Sequence, residues 1–421
     1  MSRQSLQDNP PAVQTPVAEF SPFIHPNAVN NQNDPLLQTD SSLDPKIRYL
    51  FDALRTPRPS GFEEPIQRLN RDYIEPHADE VRIDIHGNLI ARLKPTTGES
   101  GTGIAPRLML AGHCDQIGML VSNIDDNGFI YAQTIGGWDP QQLIGQSMTI
   151  WTERPGETDT DADPSPADKT RPTGIAAVIS RKPIHLLSPT ERKRVVELDE
   201  LWLDIGAASA EQARRLVRVG DPVTLNLQPR TLLDHKIASP GTDNVAGMWT
   251  VIEALRRANS ATEPLRCDLY SVATVQEEIG LRGAKTAAGS IQPDLAIAVD
   301  VCHASDCPTI DKNKQGDIKV GGGPVIYRGP NINRGVADRL VSLAQSNDIP
   351  YQIAAIARAT PNDANALQIH GGGVGVGLVA IPNRYMHSAV EVISTQDIDH
   401  AAELLAEFAL SITPQCDFIP G

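Results

Sequence analysis

Seven residues of this chain stand where chemistry is easiest to place. They are His113 and Asp115 after the apolar run RLMLAG, Asp243 in SPGTDNVAG, Glu277 and Glu278 after LYSVATVQ, Asp300 after LAIAV, and His387 after IPNRYM. Each follows or heads a stretch that reads as a buried element of an α/β sheet, and open α/β sheets carry their ligands beyond the carboxyl ends of such strands. A charge held there without a partner costs several kcal/mol, so it calls for a counter-charge or a metal ion. Taken singly, each residue has an ordinary explanation. Asp243 heads TDNVAGMWTVIEALRR, with Val245, Met248, Trp249, Ile252 and Leu255 on one stripe, where Thr242 or Asp243 would serve as a helix cap. His113 and Asp115, two apart on an extended segment, lie on one side of it, so the carboxylate can accept from the ring nitrogen that binds no metal. Glu277 and Glu278 are consecutive, and neighbours on an extended chain point opposite ways, one to a metal and the other to a water.

Together the set is the inventory for two divalent ions sharing one bridging carboxylate, about 3.5 to 4 Å apart, with a bridging water as nucleophile. Mixed nitrogen and oxygen donors favour zinc, cobalt or manganese over calcium. A dry pocket would raise the pKa of whichever glutamate is not a ligand, fitting it to take a proton from the attacking water and pass it to a leaving amine.

The elements that must hold these residues are legible in the pattern. Near-continuous apolar runs, RLMLAGH, LYSVATV, LAIAVD and VGVGLVAI, alternate with helical stretches on both sides of a different grammar between 117 and 228. There, six short β-rich pieces (GMLVSNI, GFIYAQTI, SMTIW, GIAAVI, LWLDIGA and DPVTLNL) suggest a small barrel or sandwich whose strand edges must be covered. The expectation is a catalytic α/β domain in two parts, 44–116 and 229–421, with a small β domain inserted between them. Residues 1–43 are rich in Pro, Asn, Gln, Asp and Ser and read as a disordered arm, and 153–172 as a flexible surface loop. Folding starts at Asp44, a cap followed by Pro45, with Ile47, Leu50, Phe51 and Leu54 on one face.

Composition narrows the class. At 421 residues, two folded units are a better prior than one core. A formal charge of −15, with no basic block, disfavours nucleic acid. No run approaches the roughly 20 apolar residues of a membrane span, and no basic-then-apolar leader opens the chain, so a cytoplasmic protein with no membrane partner is expected. Five cysteines, an odd count in a long chain, point to reduced thiols.

Seven strings, AGHCDQIGMLV, SPGTDNVAG, VQEEIGLRGA, AVDVCHASDCP, GGGPVIYRGPNIN, TPNDANALQI and IPNRYMHSAVEV, occur in the order found in the tetrahedral aminopeptidase and glutamyl aminopeptidase family of metallopeptidases, which the chain resembles from about Asp44 to Phe408. The resemblance implies a zinc-peptidase-like fold: a mixed, mostly parallel sheet flanked by helices, with an inserted small β-barrel used for dimerisation. It implies that Asp243 bridges two ions, with Glu278 and His387 completing one and His113 and Asp300 the other. It makes Glu277 the catalytic base and has Asp115 steer the His113 side. It further implies N-terminal hydrolysis of short peptides with a free amino terminus, and a homo-oligomer, in the family frequently a twelve-subunit shell. The chain departs from the family at Cys114, where Met is common, and in the length of its arm and its 153–172 loop.

Other signals are weak. GGGVGVG at 371–377 fits neither G-x-G-x-x-G nor a P-loop and reads as close packing beside the site. Cys302, His303 and Cys307 lack the paired spacing of a zinc knuckle. Two competing readings stand beside the peptidase. One is a glycoside hydrolase, because family members have been labelled endoglucanases and paired carboxylates serve that chemistry, although aromatics are only 4% of the chain. The other is a catalytically inactive assembly protein, which the intact ligand set argues against.

Overall fold

A computed structural model describes residues 44–96, 105–152 and 173–420. The expected disordered arm and the flexible loop lie outside the described residues. Three strands come first, β1 (Glu80–Ile83), β2 (Leu89–Leu93) and β3 (Arg107–His113). Six more follow, β4 (Gly118–Ile124), β5 (Ile130–Ile135), β6 (Ser147–Thr152), β7 (Thr173–Ser180), β8 (Trp202–Asp204) and β9 (Pro222–Leu225). Then come β10 (Arg230–Thr231), β11 (Lys236–Ser239), β12 (Asp268–Thr274), β13 (Leu295–His303), β14 (Val325–Arg328), β15 (Gln352–Ala355), β16 (Gly375–Asn383) and β17 (Glu391–Ser394).

Eight strands form one sheet in the order β1-β2-β12-β3-β13-β16-β14-β15. Its centre, β12-β3-β13-β16, is parallel, and the flanking pairs β2–β12 and β14–β16 are antiparallel. The central strands are buried on both faces, which is why their sequences are continuous apolar runs instead of alternating ones. The helix Thr242–Ser260 packs across β3, β12 and β13, with Thr395–Ser411 against it. One close approach fixes that helix: a Cβ at Gly112 in β3 would come within 2.5 Å of the Gly247 backbone. Only glycine permits this contact, and it brings the start of the helix beside His113 at the end of β3.

The first helix, Pro45–Arg55, opens as expected, with the Asp44 carboxylate accepting from the Lys46 amide at 3.0 Å. Its inner face differs in one place. Ile47 is only half-buried, and Tyr49 takes the interior, donating to Asn70 at 2.7 Å and stacking on Tyr73.

The six β-rich pieces between β3 and β10 become the six strands of a closed barrel, in the order β4-β5-β8-β7-β6-β9, around a core that includes Met119, Val121, Ile130, Ile150, Leu203 and Val223. The small barrel expected here is present and closed, with β4 paired to both β5 and β9, so these strands meet one another instead of leaving the sheet open as a sandwich would. The glycine-rich stretch also differs from expectation. It leads into the amino end of β16, the far end of the sheet from the residues that could do chemistry, so its close packing is not beside the site.

Candidate metal centre

His113 closes β3 and Asp300 lies in β13, which continues three residues further to His303 instead of ending at the aspartate. Glu277 and Glu278 stand beyond the end of β12, in a turn that follows Gln276 at φ +56°, so alternation along a strand does not separate them. Both are drawn to one place by Asp115, whose carboxylate accepts from the Glu277 amide at 3.0 Å and the Glu278 amide at 3.2 Å.

Asp243 opens the helix Thr242–Ser260 without capping it. The backbone at Asp243 and Asn244 is non-helical, the peptide between them is cis, and neither Thr242 nor Asp243 makes a capping bond. Asn244 takes that part instead: its Oδ1 accepts from the Gly247 amide at 2.8 Å, and its Nδ2 donates to the Val299 carbonyl at 2.8 Å. The Asp243 carboxylate is thereby left to the site. His387 follows β16 with a left-handed backbone, φ +59°.

The geometry centres on Asp243. Its Oδ1 lies 3.2 Å from His113 Nε2, and its Oδ2 lies 3.2 Å from His387 Nε2. Asp300 Oδ1 and Glu277 Oε2 are 3.6 and 4.0 Å from His113 Nε2, and Glu278 Oε2 is 3.6 Å from His387 Nε2. Each imidazole is turned by its other nitrogen. His113 Nδ1 donates to the Asp115 carbonyl at 3.2 Å, with the Asp115 carboxylate at 3.4 Å, and His387 Nδ1 donates to the Gly137 carbonyl at 3.0 Å. A carbonyl can only accept, so Nδ1 carries a proton and Nε2 is the nitrogen that each ring turns toward the centre.

Burial pushes the Glu277 carboxyl up to about 10, reinforced by Asp300, Asp363 and Glu278. Burial raises Glu278 and Asp300 as well, with Asp243 adding to both. Burial works against a charged His113, but Glu277, Asp115, Asp243 and Asp300 overcome it and lift the imidazole well above its ordinary value. Burial likewise opposes ionisation of Asp243, and the two histidines outweigh it and hold the carboxyl low. Four acids face two imidazoles, and ionised together they would carry more negative charge than the imidazoles balance, a deficit that divalent cations would make good. The donor set fits such ions. His113 with Glu277 and Asp300, and His113 with Asp243 and Glu278, each bring ligand atoms within 4.8 Å of one another, and Glu278 Oε1 is buried with no hydrogen-bond partner among the described residues.

Several parts of this centre were not read from sequence. Glu391, in β17, accepts from Thr242 Oγ1 at 2.9 Å, from the Asp243 amide at 3.0 Å and from the His387 amide at 2.9 Å. Its only signal is an acid inside the apolar strand VEVI. Asp363 is buried, accepts from Thr274 Oγ1 at 2.7 Å, and is pushed up to about 6 by burial and by Asp300. Gly136 and Gly137 follow the barrel strand β5, and a Cβ on them would come within 3.2 Å of Glu278 Oε2 and 3.1 Å of His387 Nδ1. Ser60 donates to Asp115 at 2.6 Å. Cys114 is fully buried and its thiol is pushed well above the usual range by burial, then by Glu63 and Asp115, which makes it inert. The centre opens into a cavity of about 1080 Å³ whose apolar wall includes Cys302, Tyr327, Ile356, Leu378 and Ala380.

The model of the M42 glutamyl aminopeptidase family matches residues 87–160 and 168–404. The chain belongs to the M42 glutamyl aminopeptidase family. The lysyl aminopeptidase of Pyrococcus furiosus is 34% identical over 372 residues, which covers 87% of this chain and 97% of that protein. The TET aminopeptidase of a marine sediment Thaumarchaeota archaeon superposes with a TM-score of 0.78 at 29% identity, covering 87% and 96% of the two chains. The Pyrococcus horikoshii TET1 peptidase, described as assembling into a tetrahedron or a large octahedral shell, gives 0.71 at 28%, covering 87% and 100%. Membership of the M42 family makes this chain a hydrolase of the aminopeptidase kind and gives its clustered histidines and carboxylates a metallopeptidase context. Among the described residues no helix is long and apolar enough to cross a membrane.

Proposed function

We propose that the chain is a two-metal aminopeptidase that removes N-terminal residues from short peptides. Asp243 would bridge two divalent ions of zinc, cobalt or manganese type, with Glu278 and His387 completing one and His113 and Asp300 the other. The observation that carries this reading is that Asp243 offers one oxygen to each histidine, at 3.2 Å on both sides. Such ions, when bound, supply Lewis acidity to the scissile carbonyl and to the attacking water.

The chain's own residues account for the remainder. Glu277 is the general base: it is nearly buried and stands within 4.0 Å of His113 Nε2, where bound cations would hold its carboxyl ionised and ready to accept a proton from water and deliver it to the departing amine. Asp115 orients His113 and pins the amides of both glutamates, so base and ligand keep a fixed separation. The acidic end of the cavity receives the substrate's α-ammonium, which sets the register and places the first peptide carbonyl at the centre. Self-assembly through the barrel is part of the proposal. With the barrel closed, its support is the exposed Val178, Ile184, Leu186 and Val195 in the barrel segment, together with the shells formed by the Pyrococcus horikoshii relative. All five cysteines are free, as suits a reducing cytoplasm.

The test is a matched pair of peptides, one with a free and one with an acetylated amino terminus, assayed before and after chelation and with each metal restored. Cleavage of the free peptide alone, lost in chelator and recovered with metal, is expected. Equal cleavage of the acetylated peptide, internal cuts, or full activity in chelator would refute it.

A further inference from the structure

Two buried carboxylates that would touch no ion support the centre, and they divide the work. Asp115 holds the amides of Glu277 and Glu278 and the ring of His113. Glu391, only 1% exposed, holds the opposite side: Oε2 accepts from the Thr242 hydroxyl and the Asp243 amide, and Oε1 accepts from the His387 amide. These bonds fall where the backbone is least regular. Asp243 is non-helical inside a helix, and His387 has φ +59°, a conformation that L side chains rarely adopt and that its surroundings must impose. Asp300 needs no such support, because it lies in the regular strand β13.

From this division we infer that Glu391 is the positioning residue for one ion of the pair, the one assigned to Asp243, Glu278 and His387, and that it governs this ion more than its neighbour. The inference rests on the two-metal reading above. Of that ion's three ligands, Glu391 fixes the backbone of two. Of the other ion's ligands it fixes only the shared Asp243, while His113 answers to Asp115 and Asp300 to its strand. A carboxylate is required because three N–H or O–H donors converge on two oxygens; a glutamine in its place offers one accepting oxygen and turns an NH₂ toward the remaining donors.

The experiment is calorimetric titration of metal-free protein with zinc, for the wild type, Glu391→Gln, Thr242→Val, and Glu391→Gln combined with His387→Ala or with Asp300→Asn. The wild type is expected to bind two ions. Glu391→Gln should keep one near wild-type affinity and weaken the other by roughly 10- to 100-fold. Added to His387→Ala it should cause little further loss, and added to Asp300→Asn it should impair both ions. Thr242→Val removes one of the three donors to Glu391, together with the hydroxyl that accepts from Asn383 Nδ2 at 3.0 Å, and should weaken the same ion by less than about tenfold, which decides the question even if Glu391→Gln does not fold. Equal weakening of both ions, or of neither, would overturn the assignment of Glu391 while leaving the two-ion centre in place. Fewer than two ions in the wild type would overturn the two-ion reading, and this inference with it.

Discussion

The two histidines of the centre are built in different ways. His113 is 2% exposed, ends a central parallel strand, and is oriented by a residue two positions further along the same chain segment. His387 has a side chain 34% exposed, sits on an irregular segment after β16, and is oriented by the carbonyl of Gly137, which follows the barrel strand β5 and lies 250 residues away in sequence. One half of the site is therefore anchored on the central sheet. The other depends on the barrel, and on Glu391, for its shape. The loop that follows β5 of the inserted barrel thus reaches the centre itself.

Substitutions can break this comparison or sharpen it. The largest effect is expected from Asp243→Asn, which disables both halves at once. Metal content should fall from two ions toward none, and turnover should drop by at least ~10². Retention of two ions, measured on the purified variant, would show that Asp243 bridges nothing. Gly137→Ala should act on one half only, because its Cβ would crowd His387 Nδ1 at 3.1 Å while His113 is untouched. We expect roughly tenfold weaker binding of one ion, with the other unchanged; a variant indistinguishable from wild type would deny the barrel its part in the site.

The smallest effect concerns the segment that leads to His387. Arg384 donates from Nε and Nη2 to Asp306 at 2.8 and 2.6 Å, and although burial opposes it, this pairing holds the Asp306 carboxyl below its ordinary value. A depressed carboxyl stabilises the fold above the unfolded-state pKa, and that contribution is lost as pH falls through the folded value. Asp306→Asn should lower Tm by a few degrees near neutral pH, with the gap to wild type closing below about pH 4. A gap that persisted unchanged into acid would assign the loss to packing instead.

What could be read from sequence follows the same division. The parallel core announces itself through unbroken apolar runs, and the barrel through six short β pieces, because burial on both faces and repeated short strands leave period-level traces. The five candidate ligands were visible as charges beside those runs. The residue pattern alone left barrel and sandwich open, since closure depends on β4 pairing with β9 about a hundred residues later. Glu391 and Gly137 were also hidden. Each acts through contacts remote in sequence, 148 residues between Glu391 and Asp243 and 250 between Gly137 and His387, and neither residue type signals such a role. The capping rule misled at Asp243, because Asn244, the next residue, makes the helix-start bonds and leaves the aspartate to the site.

The central claim is that adjacent glutamates hold different offices, Glu277 as base and Glu278 as ligand, and it is tested most directly by measuring metal content and turnover together in Glu277→Gln and Glu278→Gln. Glu277→Gln is predicted to keep two ions per chain while turnover falls by at least ~10². Glu278→Gln is predicted to lose one ion. Metal loss in the first variant with full occupancy in the second, or near-normal turnover in the first, would contradict the account.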